Sequence, residues 1–178
     1  MRPLAFSSTD LPLLQAHHYL GYSRPVGEHL KYLVFAGNRP IACLGWGSAP
    51  LKLKLRDQFV GARKEAYQHN LHLIAYNSRY LLLPWIKAPH LASHLLSRIV
   101  RRISADWQEL YHHPVHLLES FVDTERFAGT CYRAANWKLL GRSQGRGTKS
   151  KDSGPKASIK ELWVYPLAKE FRQKLVAT

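Results

Sequence analysis

The chain has 178 residues, 46% hydrophobic and 11% aromatic, enough apolar side chains for one compact domain or one domain with an appendage. Lys and Arg number 26 against 12 Asp and Glu, a formal net charge of +14 whose field draws polyanions, nucleic acid before an anionic membrane surface or an acidic protein. Two cysteines, Cys43 and Cys131, lie far apart without CxxC spacing, which argues against a disulfide framework or a zinc ribbon and suits a reducing cytoplasm. MRPLAFSSTDLPLL has no uninterrupted apolar core of the kind a secretory leader needs, and no stretch approaches the length of a membrane span. A cytoplasmic protein without membrane partners is the expectation.

In chain order, Leu11–Leu20 reads as a short helix capped by the Ser7–Asp10 cluster, and Gly21–Gly27 as loop. Tyr32–Ala36 and Ile41–Gly45 are apolar runs separated by a Gly37, Asn38, Pro40 turn signal, which predicts a β-hairpin. LKLKLR at Leu51–Arg56 alternates like a strand, and Gly61–Asn70 has weak helical character. Leu71–Pro84 is either one long strand or a helix end meeting a strand. Apolar residues at Leu91, Leu95, Ile99, Ile103 and Trp107 repeat every fourth position and predict one helix over that span, with Arg98, Arg101 and Arg102 off the stripe. Leu117–Val122 predicts a strand, Thr124–Asn136 a short helix or helix plus loop, and Trp137–Leu140 a strand. There is no internal repeat.

The composition changes after Leu140. Between Lys138 and Lys160 there are seven Lys/Arg and one acid, Asp152, and no large apolar residue interrupts Gly141–Ser158 beyond the turn into Ile159. This predicts a core over 1–140, a glycine-containing basic strip over 141–160, and a segment over 161–178 whose Trp163, Tyr165, Leu167 and Phe171 dock back on the core.

Five segments carry a family resemblance: HHYLGYSRPVGEHLKYLVFAGNRPIACLGWGSAP from His17, NSRYLLLP from Asn77, HLASHLL from His90, LLESFVD from Leu117 and GTCYRAANWKLLGRSQGRG from Gly129. They resemble the DruA-like family, which includes the A protein of Druantia anti-phage systems and a domain in front of some transposase-like proteins. The match runs from about His17 to Leu167 and implies DNA-linked roles in defence or mobile elements; it supplies no catalytic residue. The order of elements is similar to the GNAT acyltransferase fold, which implies an α/β (α+β) protein with a central mixed sheet flanked by helices. YRAANW at Tyr132–Trp137 stands where that fold has its Y-x-x-x-G-[FY] segment. The fold's glycine-rich pyrophosphate loop is replaced by KAPHLAS at Lys87–Ser93, where Pro89 removes an amide donor, which argues against coenzyme A.

Candidate site residues follow from chemistry. Glu119 and Asp123 share a face of an extended run, and with Asp57 they could hold Mg²⁺ and activate water for phosphodiester cleavage. The competing account has Glu119 neutralising a nearby arginine and Asp123 capping at Thr124. His18 could act as a general base oriented by Glu119, or pack on Tyr22 or bond a carbonyl; adjacent His17 faces elsewhere. Tyr132 could give a proton to a leaving thiolate or attack a phosphodiester, or pack on Trp137, and Cys131 is a small core residue or a nucleophile.

Arg142, Arg146, Lys149 and Lys151, spaced by Gly145 and Gly147, are the foremost phosphate contacts. Arg56 and Arg79 widen the patch, Ser93 caps a helix whose amides can hold a phosphate, and Asn136 takes a left-handed backbone or faces a base edge. Trp46, Trp85 and Tyr80 stack on unpaired bases or pack in the core.

The functional expectation is a DNA-binding protein of a mobile-element or anti-phage system, with metal-dependent nicking as an added activity. A non-catalytic module recruiting a helicase or transposase, and an acyltransferase with a degenerate coenzyme A loop, are the alternatives.

Overall fold

The computed structural model describes residues 2–4, 10–61, 64–143 and 158–177. Among them, seven strands form one mixed sheet: β1 (Arg2–Leu4), β2 (His29–Ala36), β3 (Arg39–Ser48), β4 (Ile74–Leu82), β5 (Leu117–Asp123), β6 (Lys138–Arg142) and β7 (Lys160–Pro166). Their order in space is β1-β2-β3-β4-β5-β7-β6, and only the β4–β5 pair is parallel. The hairpin expected from the Gly37-Asn38 signal is present as β2–β3, with Ala36 opposite Arg39 and Gly37 at φ 58°.

Helices cover both faces: α1 (Asp10–His17), α2 (Lys54–Val60), α3 (Lys64–Tyr67), α4 (Leu91–Val100), α5 (Ile103–Tyr111), α6 (Thr130–Ala134) and α7 (Phe171–Val176), with a 3₁₀ segment over Gln68–Leu73. Because side chains alternate along a strand, neighbouring residues feed opposite layers. Tyr32, Ala75, Leu118 and Trp163 pack with α4, α5 and α6. Ile74, Leu117, Leu162 and Val164 pack with α2, α3 and α7, and Leu33, Cys43 and Leu81 with Leu14 of α1.

Three sequence expectations need correction. LKLKLR is not a strand: α2 begins at Lys54, and Arg56 and Val60, four apart, are its buried face. Leu, Lys and Arg are good helix formers, and an alternation of six residues does not outweigh burial at helical spacing. The stripe from Leu91 to Trp107 runs through two helices, α4 and α5, rather than one. Ile99, Ile103 and Trp107 are all fully buried across the break. Arg102 restarts the second helix, its Nε donating to Asp106 Oδ2 at 2.7 Å, and no Gly or Pro marks the spot. Finally, Asp123 does not cap a helix at Thr124: a turn follows it, and of the two forms expected over Thr124–Asn136 the helix plus loop is present, with α6 beginning at Thr130.

β7 lies inside the sheet, hydrogen-bonded to β5 on one side and β6 on the other. The chain leaves the described part after Ser143 and returns at Ser158 of the alanine-serine pair before Ile159, with Ser143 N donating to Lys160 O at 2.7 Å and Lys160 N donating to Ser143 Oγ at 2.9 Å.

Candidate functional site

β4 and β5 pair only from Ile74–Leu117 to Asn77–Ser120. Beyond that point β4 continues to Leu82 along β3, and β5 continues to Asp123 along β7. The strands diverge, and a cleft of about 490 Å³ opens between them, within the usual size range of small-molecule sites.

A bulge in β4 shapes its floor. Gly45 faces Arg79 while Trp46 faces Asn77, so Ser78 is the extra residue. The buried Asn77 amide repairs the ladder there, Nδ2 donating to Gly45 O and to Arg79 O, both at 3.0 Å. Its Oδ1 accepts the Tyr132 O–H at 2.9 Å, and the Tyr132 hydroxyl accepts Ser120 Oγ–H at 2.9 Å. Burial raises the Tyr132 phenol well above its ordinary range, so it remains a donor at neutral pH. Its ring also meets Trp137, centroids 5.1 Å apart, so packing and hydrogen bonding coexist.

At the cleft's side stands Arg79. Its Nε donates to Gly21 O at 2.9 Å, Nη1 to Ser78 O at 2.7 Å and Nη2 to Ser23 Oγ at 3.0 Å. All three acceptors are neutral, and among the described residues no carboxylate forms a salt bridge with it. The half-buried His18 ring feels this: desolvation first and the Arg79 charge second lower its pKa to about 4. His18 Nδ1 accepts Leu20 N–H at 3.2 Å, so an amide orients the ring, not Glu119. The neutral ring then carries its proton on Nε2. His18 stacks on Tyr19, Tyr19 meets Phe127 across the mouth at 5.6 Å, and the Arg126 guanidinium lies over Tyr19 at 4.9 Å. Gly129 at φ 66° lets the far lip pass Trp163, whose indole would stand 3.0 Å from any Cβ there.

The carboxylates expected to share a metal are otherwise engaged. Arg56 and Glu119 are both fully buried, and Arg56 Nη1 donates to Glu119 Oε1 at 3.2 Å and Oε2 at 3.3 Å. Arg56 Nε lies 3.7 Å from Asp57 Oδ1, and Asp57 also accepts the Tyr67 hydroxyl. Glu119 and Asp57 therefore meet around a guanidinium, and that donor set does not fit Mg²⁺. Burial pushes the Glu119 carboxyl up to about 7 against the opposing pull of Arg56. Arg56, expected on the outer patch, is out of solvent because only the interior offers this acid. Asp123 lies elsewhere, on the cleft wall, its Oδ1 accepting Glu125 N–H at 3.2 Å and its Oδ2 3.9 Å from Arg126 Nε. Among the described residues, no three His, Cys, Asp or Glu side chains group as metal ligands do.

The remaining candidates are dispersed. Ser93 Oγ donates to His90 O within the first turn of α4, and Asn136 is exposed at φ 61°, the left-handed conformation expected of it. Arg142 is exposed and reaches Glu161 Oε1 at 3.4 Å. Arg146, Lys149 and Lys151 lie outside the described residues. Trp46 is in the core, Trp85 donates to Pro40 O, and Tyr80 lines the cleft while donating to Ala92 O. Cys131 lines the cleft too, and burial raises its thiol pKa. Asn77, Ser120, Phe127 and Lys160 belong to the cleft without having been singled out in sequence. The polar NSR interruption in LIAYNSRYLLLP was the available signal for the first.

Solved acetyltransferases share this architecture. The ribosomal-protein-S18-alanine N-acetyltransferase from Escherichia coli superposes with a TM-score of 0.59 at 11% identity, covering 94% of each chain. An N-acetyltransferase from Staphylococcus aureus Mu50 superposes at 0.52 with 14% identity, covering 79% of this chain and 68% of that one. A Bacillus subtilis acetyltransferase in complex with CoA superposes at 0.50 with 7% identity, covering 79% and 78%. At such identities the shared property is the fold, and the protein has a GNAT-like α/β fold. No curated protein matches its sequence. The family profile of Druantia protein DruA matches residues 10–154, and the chain belongs to that family. No helix among the described residues is long and apolar enough to cross a membrane.

Proposed function

We propose that this protein binds DNA as a component of an anti-phage defence or mobile-element machine, holding phosphates on surface cations and bringing a helicase or transposase to its target. The distribution of charge supports this along with its total. Among the described residues, four acids, Asp106, Glu119, Asp123 and Glu161, are buried, against two bases, Lys31 and Arg56. Asp106, Asp123 and Glu161 each stand within salt-bridge distance of a solvent-facing arginine, and Glu119 faces the buried Arg56; the chain's remaining surplus of Lys and Arg over Asp and Glu supplies the cations of the surface. Such a surface exchanges condensed counterions for phosphates, and its affinity falls steeply with salt. Fluorescence anisotropy with labelled duplex and single-stranded oligonucleotides across a salt series tests the proposal. Binding with a log–log slope of about −0.9 per phosphate contacted is expected for duplex; no binding in dilute buffer overturns it.

The Tyr132 hydroxyl at the floor of the cleft favours a second reading, acyl transfer, in which the phenol gives its proton to a leaving thiolate. Pro89 and the left-handed His90, φ 60°, stand where pyrophosphate would need free amides. Calorimetry with millimolar acetyl-coenzyme A separates the two: heat of binding supports acyl transfer, and its absence removes it.

A further inference from the structure

We propose that the cleft between β4 and β5 receives one unpaired nucleotide of a DNA strand, the base entering among aromatic side chains and the phosphate meeting Arg79 or Lys160. The inference rests on the DNA-binding reading and adds the class of ligand and the place where it is held.

The walls suit a base. Tyr76 and Tyr80 come from β4, Phe121 from β5, and Tyr19 and Phe127 from the two lips. Phe127 is 52% exposed and Tyr19 41%, large apolar rings left in solvent at the entrance. Bases of every kind stack on such rings, because each has a π face. Ser120 Oγ, which donates its hydrogen to Tyr132, keeps lone pairs for a base N–H.

The charges suit a phosphate. The acceptors of the Arg79 hydrogen bonds are all neutral oxygens, and Lys160 lines the cleft near the other lip. Among the described residues the one acid on the wall, Asp123, is buried, bonded by an amide and close to Arg126. A ligand of two parts, one flat and one anionic, matches these surroundings better than a purely apolar or purely cationic one.

Position connects the cleft to the basic strip. Ser143 and Lys160 are hydrogen-bonded to each other, so the segment carrying Arg146, Lys149, Lys151 and Lys156 starts and ends beside a residue of the cleft wall.

The test uses the full chain and a single-stranded oligonucleotide carrying one 2-aminopurine, with anisotropy reading affinity and fluorescence reading stacking. The expected result is quenching on binding. Ala128→Trp narrows the opening and Phe127→Ala removes a stacking wall; both positions are exposed, so the fold tolerates them. Each is expected to abolish the quench and weaken single-strand binding by about tenfold, leaving duplex affinity within about twofold of the parent. Quenching that persists in both variants overturns the proposal, as does tight single-strand binding by the parent without quenching; in the latter case DNA binding stands and only the cleft assignment falls. A parent that binds neither oligonucleotide overturns both readings. Deoxyadenosine monophosphate is expected to displace the probe only at far higher concentration than an oligonucleotide; equal potency makes a free nucleotide the occupant. Displacement by acetyl-pantetheine but not by the mononucleotide assigns the cleft to an acyl donor and overturns the proposal.

Discussion

Arg56 on α2 and Arg79 on β4 both lie against the central sheet, and their surroundings differ in one respect. Arg56 is enclosed in the core with the carboxyl of Glu119 as its partner. Arg79 is bonded as fully, but to carbonyls and a hydroxyl, so its field reaches the cleft and adds to the desolvation that lowers the His18 pKa. The first arrangement holds α2 to β5 and is closed to ligands. The second fixes a guanidinium in place and leaves its charge for something else. Sequence position alone does not separate such cases, since both arginines were candidates for the same patch.

The comparison breaks first at the closed pair. Glu119→Ala strands a buried guanidinium and is expected to cost about 3–5 kcal/mol in chemical denaturation, while DNA affinity of the folded fraction stays unchanged. A stable variant would mean that the pair contributes little; a folded variant with lost affinity would return Glu119 to the functional site. Next comes the outer surface. Changing Arg142, Arg146 and Lys149 together to alanine is expected to lower DNA affinity by about ten- to a hundredfold near physiological salt and to flatten the duplex salt slope by about 2–3, with only the small loss of melting temperature that follows from the Arg142–Glu161 pair. Unaltered affinity would move the interface elsewhere.

A smaller effect lies in the pH dependence. The folded Glu119 carboxyl titrates near 7, above its value of 4.5 in the unfolded chain. Between these values the native state holds more protons, so the Glu119 contribution to stability falls as pH rises and levels off above the upper one. His18 works in the opposite direction: its folded pKa of about 4 lies below 6.5, so its contribution grows as pH rises through that interval. The two slopes oppose each other, and the difference between the parent and Glu119→Gln isolates the first. Denaturation midpoints from pH 5 to 8 should decline less, or rise more, in the variant; parallel curves would place the Glu119 titration below this range. The smallest effect concerns Asn136 at φ 61°. Asn136→Gly is expected to be neutral or to gain a few tenths of a kcal/mol, whereas Asn136→Ala loses about 1 kcal/mol, both measured by thermal unfolding.

Local chemistry made part of this molecule legible. The Gly37-Asn38 turn announced its hairpin, and the position of Asn136 in a motif that elsewhere has glycine announced its backbone. The helix break at Arg101 and Arg102 left no trace because Ile99, Ile103 and Trp107 keep their spacing across it. Glu119 was correctly suspected of needing an arginine, but Arg56 is 63 residues away and sat in a segment that read as a strand. The cleft was least visible. It arises where two strands cease to pair after Asn77 and Ser120, and a side-chain pattern carries no record of a hydrogen bond that is not made.

The interior position of β7 has a consequence for how the protein tolerates nicking. Proteolysis at a single peptide bond between Ser143 and Ser158 would separate the chain into two fragments, yet the smaller one supplies a strand bonded on both edges and the apolar anchors Phe171 and Leu175. The fragments should co-elute under native conditions and part only in denaturant, so a protease-clipped preparation keeps its fold while losing the continuity of its most basic stretch of sequence.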